Sequence, residues 1–124
     1  MPAMTSKGYD RLRSKWDEQD QQALRDNTGK PPLHLMAGEW QNEVAAVMGY
    51  GASKYEPNNW RKGGPWCEHL ASVQRHILAF QNGEDKDPES GRHHLAHAIC
   101  GLFFVLEWVL KGAGRDDRYK PAAL

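Results

Sequence analysis

Between Trp66 and Trp108 the chain reads WCEHLASVQRHILAFQNGEDKDPESGRHHLAHAICGLFFVLEW, and this stretch admits few folds. Apolar residues recur at helical spacing on both sides of a short acidic segment. The pattern predicts a helix, a turn and a second helix. Leu70, Val73, Ile77 and Phe80 form the stripe of the first helix, which Asn82 and Gly83 end. The second runs from about Gly91 to Lys111 and presents Leu95, Ile99, Leu102, Phe103, Leu106 and Leu110 as its core face. Phe104, Val105 and Trp108 widen its apolar surface, which suits the middle of a bundle or a face against a partner subunit.

Five of the six histidines lie in the same stretch: His69, His76, His93, His94 and His97. His69 and His76 are two helical turns apart on one face. His94 and His97 share a side of the next helix through the i,i+3 spacing. An HxxH pair on a helix supplies two metal ligands, or one ligand and one acid/base group. His93 is expected to point elsewhere. Between the two helices, GEDKDPESG has the acids of a calcium loop, but the glycine and closing glutamate of such a loop fall on Ser90 and Ala96. The simpler reading makes Ser90 the cap of the final helix, with Asp87 and Glu89 near its positive end. In the sharper reading Asp87 also reaches a metal.

Upstream, Leu33 to Gly49 reads as a third helix, with Trp40, Val44, Val47 and Met48 toward a core and Gly49 and Gly51 as stops. Glu39 and Glu43 lie one turn apart on it. They are either solvated surface charges or oxygen ligands for a hard cation such as Mg²⁺. The loop YGASKYEPNNWRKGGP is long for a plain helix connection. Its Lys54, Arg61 and Lys62, with Arg75, could neutralise a polyphosphate. Asn59 could bond a base edge, and Tyr55 or Trp60 could stack on a base, unless these rings simply plug the core.

The fold expected is therefore all-α: a small bundle of three main helices over residues 33–112, its core completed by dimerisation. A polar N-terminal arm over 1–32, with a marginal helix from Asp10 to Arg25, precedes it. A flexible tail over 113–124 follows. Sixteen basic residues balance sixteen acidic ones, so no extended nucleic-acid surface is expected. Cys67 and Cys100 form no CxxC and read as reduced thiols of a cytoplasmic protein. The N-terminus lacks a signal-peptide core, and the run AICGLFFVLEWVL, interrupted by Glu107, reads as too short to span a membrane.

Taken together, YGASKYEPNNWRKG and the stretch from His69 to Trp108 resemble the phage and bacterial dATP/dGTP diphosphohydrolase N-terminal domain family, over about Gly29 to Trp108. That family is related in spirit to the MazG-like all-α nucleoside triphosphate pyrophosphohydrolases. The resemblance implies hydrolysis of a deoxynucleoside triphosphate to the monophosphate and pyrophosphate with a divalent metal, Mg²⁺ first and Mn²⁺ second. It implies metal ligands among Glu39, Glu43, Asp87, His94 and His97, and catalytic roles for His97, His76 and Glu43. Substrate contacts fall to Lys54, Tyr55, Asn59, Trp60 and Arg75. MazG-like enzymes usually place acids where His94 and His97 stand here. Either the histidines substitute as ligands, favouring Mn²⁺, or Glu39, Glu43 and Asp87 hold the metal and the histidines handle protons and phosphate. The remaining alternatives are another histidine-rich metal phosphohydrolase acting on nucleotides, and a non-catalytic phage protein that binds nucleotides or a host factor.

Overall fold

The computed structural model describes residues 23–122. The expected helix from Asp10 to Arg25 lies mostly outside them. Two compact units divide the chain after Ala37. In the first, the described residues contain a turn closed by Lys30 N–H on Asn27 O at 3.0 Å and one 3-10 turn, Leu33–Met36, which follows Pro31 and Pro32.

The second unit is an all-α bundle of three helices: α1 Glu39–Lys54, α2 Trp66–Gln81 and α3 His94–Lys111. A 3-10 turn, Asn59–Lys62, lies between α1 and α2. Among the described residues no strand forms; two isolated bridge pairs occur.

α1 is displaced from its expected span. It starts after an extended Gly38 and runs through Gly49 and Gly51 to Lys54. Each glycine costs a helix interior about 1 kcal/mol relative to alanine. Tertiary contacts on either side offset that cost. Val44 and Val47 are buried against Ala96 and Cys100 of α3, with Ile99 and Phe104 packed alongside. Near the end of the helix, the Tyr50 hydroxyl donates to Glu89 at 2.7 Å.

α3 buries a different face from the one its leucines mark. Its buried positions are His94, Ala96, Ala98, Cys100, Val105 and Trp108. Leu95, Leu102, Phe103, Leu106 and Leu110 are exposed. The reason is close approach: a Cβ on Gly101 would stand 2.6 Å from Val73 Cγ2, so α2 and α3 meet through small side chains. Trp108 anchors the far end. It is 1% exposed, its indole N–H donates to Trp60 O at 2.8 Å, and His69 meets its ring edge-on. By length and composition α3 could cross a membrane, against the sequence expectation; in this structure one face of it packs on α1 and α2. Trp40, Met48, Ile77 and Phe80, also expected inside, remain partly exposed.

The segment after α3 is held, at least as far as Arg118, where a flexible tail was expected. Trp66 N–H donates to Arg115 O and Arg115 N–H to Gly64 O, both at 3.0 Å. The Trp66 indole donates to Ala113 O. Asp117 accepts from Cys67 N–H at 2.8 Å and so satisfies one open donor in the first turn of α2, which its own N-cap, Pro65, cannot do. Gly63 and Gly114 make this seam possible. Their φ values are +82° and +72°, and a Cβ on either would strike the opposite backbone.

Candidate functional site

The helical hairpin of α2 and α3 brings three imidazoles together. His76 of α2 faces His94 and His97 of α3. His76 Nδ1 lies 2.8 Å from His94 Nδ1, and the His76 ring stacks on His97 with centroids 4.4 Å apart. The connecting turn supplies the acids. Glu84 Oε1 lies 2.6 Å from His94 Nε2. Asp87 brings a carboxylate oxygen to the imidazoles, and the ligand atoms of His76, Asp87 and His94 all fall within 4.8 Å of one another.

Backbone bonds fix this turn. Asp87 N–H donates to Arg92 O, Gly91 N–H to Asp87 O, and His94 N–H to Asp85 O. Gly91, at φ +72°, makes the reversal. Ser90 N–H donates to Asp87 Oδ2 at 2.9 Å, and Ser90 Oγ lies 2.6 Å from His97 Nε2. Ser90 is therefore not the cap of α3. The residue before that helix is His93, which makes no side-chain cap.

The electrostatics favour neutral imidazoles beside an ionised acid. Burial, and the neighbouring His97 and His94, hold His76 below its ordinary value. Burial likewise lowers His97, although Asp87 pulls the other way. Asp87 is partly desolvated, yet its bonds from Ser90 and the adjacent histidines keep it below the usual carboxylate range. With Glu84 accepting from Nε2–H, His94 Nδ1 accepts from His76 Nδ1–H, so a bound ion would take the place of that proton. Two imidazole nitrogens and a carboxylate oxygen gathered in this way could hold a divalent transition ion once the proton between the rings is displaced. In such a set Glu84 would be the outer partner that orients His94.

His76, Asp87, His94 and His97 thus converge as expected positions. Lys54 reaches the same region indirectly, through Glu89 at 2.7 Å; the Tyr50 ring meets His97 edge-on. Arg75 is exposed beside His76 and close enough to depress its protonation. Tyr55 is exposed, with the Lys54 ammonium 5.6 Å from its ring centroid. Asn59 is half-buried at the start of the 3-10 turn.

Three expected residues stand elsewhere. Trp60 stacks on Phe104 at 4.4 Å and carries the Arg61 guanidinium 4.5 Å from its ring centroid. Both faces are taken, so Trp60 plugs the core and offers no surface to a base. Glu39 is exposed in the first turn of α1. Glu43 lines a cleft of about 350 Å³ with Asp85 and His93. Neither belongs to the His76–Asp87–His94 group. The cause is register: Glu43 precedes Tyr50 by two turns, about 10 Å along the helix axis, and Tyr50 is the α1 residue that meets the imidazoles.

Sequence reasoning missed the roles of Glu84 and Tyr50. Glu84 meets His94 across a turn, where no periodicity applies. Tyr50 looked like part of a loop because Gly49 and Gly51 flank it.

The chain matches the family described as dATP/dGTP diphosphohydrolase, N-terminal, over residues 20–118. It is 39% identical over 103 residues to a curated protein of Salmonella phage PMBT28 named dATP/dGTP diphosphohydrolase, an alignment covering 82% of this chain and 34% of that one. The chain thus spans about a third of the length of the curated relative it matches. No solved structure matches.

Proposed function

The chain belongs to the dATP/dGTP diphosphohydrolase N-terminal family, and from that premise we propose that its helical hairpin is the catalytic centre of a metal-dependent deoxynucleoside triphosphate hydrolase releasing monophosphate and pyrophosphate. The observation that carries this reading is the meeting of His76 Nδ1 and His94 Nδ1 at 2.8 Å beside Asp87, with Glu84 fixing the His94 ring. Two imidazole nitrogens and a carboxylate suit Mn²⁺ or a similar ion better than Mg²⁺, which prefers an all-oxygen shell. Such an ion supplies Lewis-acid polarisation of the phosphates.

The chain's own groups account for the rest. His97 is held neutral, and Ser90 engages its Nε2, which leaves Nδ1 to take the proton of the attacking water. Water oxygen bonds to the α-phosphorus as the bond from that phosphorus to the bridging oxygen breaks. Pyrophosphate leaves with the electron pair. Lys54, on exchanging Glu89 for a phosphate, and Arg75 balance the charge that gathers on the leaving group. A second copy of the chain is the proposed cover for the exposed leucines of α3.

Turnover of the four deoxynucleoside triphosphates with Mn²⁺ and Mg²⁺, read by separating the products, tests the reading. It predicts monophosphate and pyrophosphate from at least one purine substrate. A second reading rests on the nitrogen-rich donor set: a phosphohydrolase acting on monophosphates or cyclic nucleotides. Orthophosphate as the sole phosphate product would favour that one. No turnover of any nucleotide with either ion would contradict both.

A further inference from the structure

One side of α3 is left bare along its whole length. Leu95, Ile99, Leu102, Leu106 and Val109 follow one another at alternate steps of four and three, the seam spacing of paired helices. All but Ile99 are exposed, and so are Phe103 and Leu110 beside them. A cleft of about 350 Å³ opens at the first turns of this seam and shares Leu95 and Ile99 with it. We infer that the seam packs antiparallel against the same seam of a second copy, and that each cleft receives the last turn of the other copy's α3. This rests on the reading that a second copy covers the exposed leucines, and adds its direction and its contacts.

Shape sets the direction. At one end of the seam lies the hollow, with Trp40 and Val44 of α1, Phe80 of α2, and Leu95 and Ile99 of α3 in its wall. Its surface is almost wholly apolar, so it suits hydrocarbon better than a hydrogen-bonding ligand. At the other end lies a projection: Leu110, in the last turn of α3, is 71% exposed, and Leu106 and Val109 are exposed just before it. A two-fold interface must be complementary to itself. Antiparallel helices crossing near Leu102 set each projection into the other copy's hollow. Parallel helices would set hollow against hollow and leave both unfilled.

Charge points the same way. Glu43 and Asp85 stand at the hollow, and Lys111 directly follows Leu110. Among the described residues none of the three is in an ion pair. Antiparallel pairing brings each Lys111 to the acids of the other copy, whereas parallel pairing gathers the acids of both copies at one end. It also sets the positive end of each α3 beside the negative end of the other.

A bilayer is the other apolar surrounding that the length and composition of α3 allow. It fits less well. Only one side of the helix is bare, the opposite side being packed on α1 and α2. Seating that side in lipid would carry Glu43 and Asp85 toward hydrocarbon with no cation to meet them. A second copy supplies the cation.

Sedimentation equilibrium of the full chain and its variants tests the contacts. Each contact occurs twice, so Lys111→Glu should weaken the dimer at least tenfold. Adding Asp85→Lys to that variant should recover most of the loss. Pulsed electron resonance tests the direction. Nitroxides on Arg92→Cys, an exposed position just before α3, are placed in a Cys67→Ser background, with Cys100 buried. The labels should lie about 25–30 Å apart in antiparallel pairing, against about 10–15 Å in parallel pairing. A separation in the shorter range, or no recovery in the double variant, would overturn this arrangement and keep the second copy. A monomer would overturn both, whether it stays free or binds vesicles of phosphatidylcholine and phosphatidylglycerol. None of these measurements reads turnover, so the hydrolase reading stands or falls apart from them.

Discussion

Single side chains set the proton chemistry of this site and, on the proposed reading, its affinity for a metal. Glu84 is half-exposed, yet its carboxylate decides which nitrogen of His94 carries the proton. Glu84→Gln retains the shape and removes the charge. It should lower Mn²⁺ affinity about 10- to 100-fold, as for other outer-shell partners of ligating histidines, while the circular dichroism spectrum stays unchanged. The depressed His76 and His97 also make stability depend on pH. Below about 6.5 the unfolded chain takes up protons that these two rings resist while folded. Their contribution is therefore complete above 6.5 and falls as pH drops through that value toward their lower folded pKa values. Asp87 acts further down, its contribution present above 3.8 and lost as pH falls below that. Urea midpoints between pH 8 and 5 should decline toward acid, and His76→Gln together with His97→Gln should flatten the decline. Cys100 takes no part: burial pushes its thiol up to about 11.

At the scale of the elements, the hairpin works because α2 and α3 approach closely. Val73 meets the bare backbone of Gly101. Gly101→Ala gains about 1 kcal/mol of helix propensity. It also overpacks a buried contact, which typically costs about 1–3 kcal/mol. Denaturant unfolding should show a net loss, and Gly101→Val a larger one. A gain in stability would show that the helices are not in close contact there. This scale also shows what could be read from sequence. The hairpin and its histidines were legible because helical period and spacing were intact from Leu70 to Leu110. The buried face of α3 was not. Leucines suggest a core, but alanine, cysteine and glycine decide how near two helices can come. The first helix was misplaced because Gly49 and Gly51 look like stops, and only the Glu89 bonds to Tyr50 and Lys54 show why it continues. The carboxylates at the imidazoles come from the turn, where sequence spacing carries little information about contact.

For the whole molecule, the leucine face of α3 is a large exposed apolar surface. If a second copy covers it, sedimentation should give a dimer, and Leu106→Asp should give a monomer that keeps its helical content. A monomeric wild-type chain would remove that cover. The metal centre, the hydrolase reading and the orienting role of Glu84 all converge on one property. The proposal requires the α2–α3 hairpin to hold one divalent ion between His76, Asp87 and His94. Titration of the chain with Mn²⁺, followed by the loss of the free-ion paramagnetic resonance signal, measures it directly. The account predicts one ion per chain, at least tenfold weaker in His94→Ala and in Asp87→Asn and unchanged in Glu39→Gln. Binding that ignores His94 and Asp87 but disappears with Glu39 would contradict it.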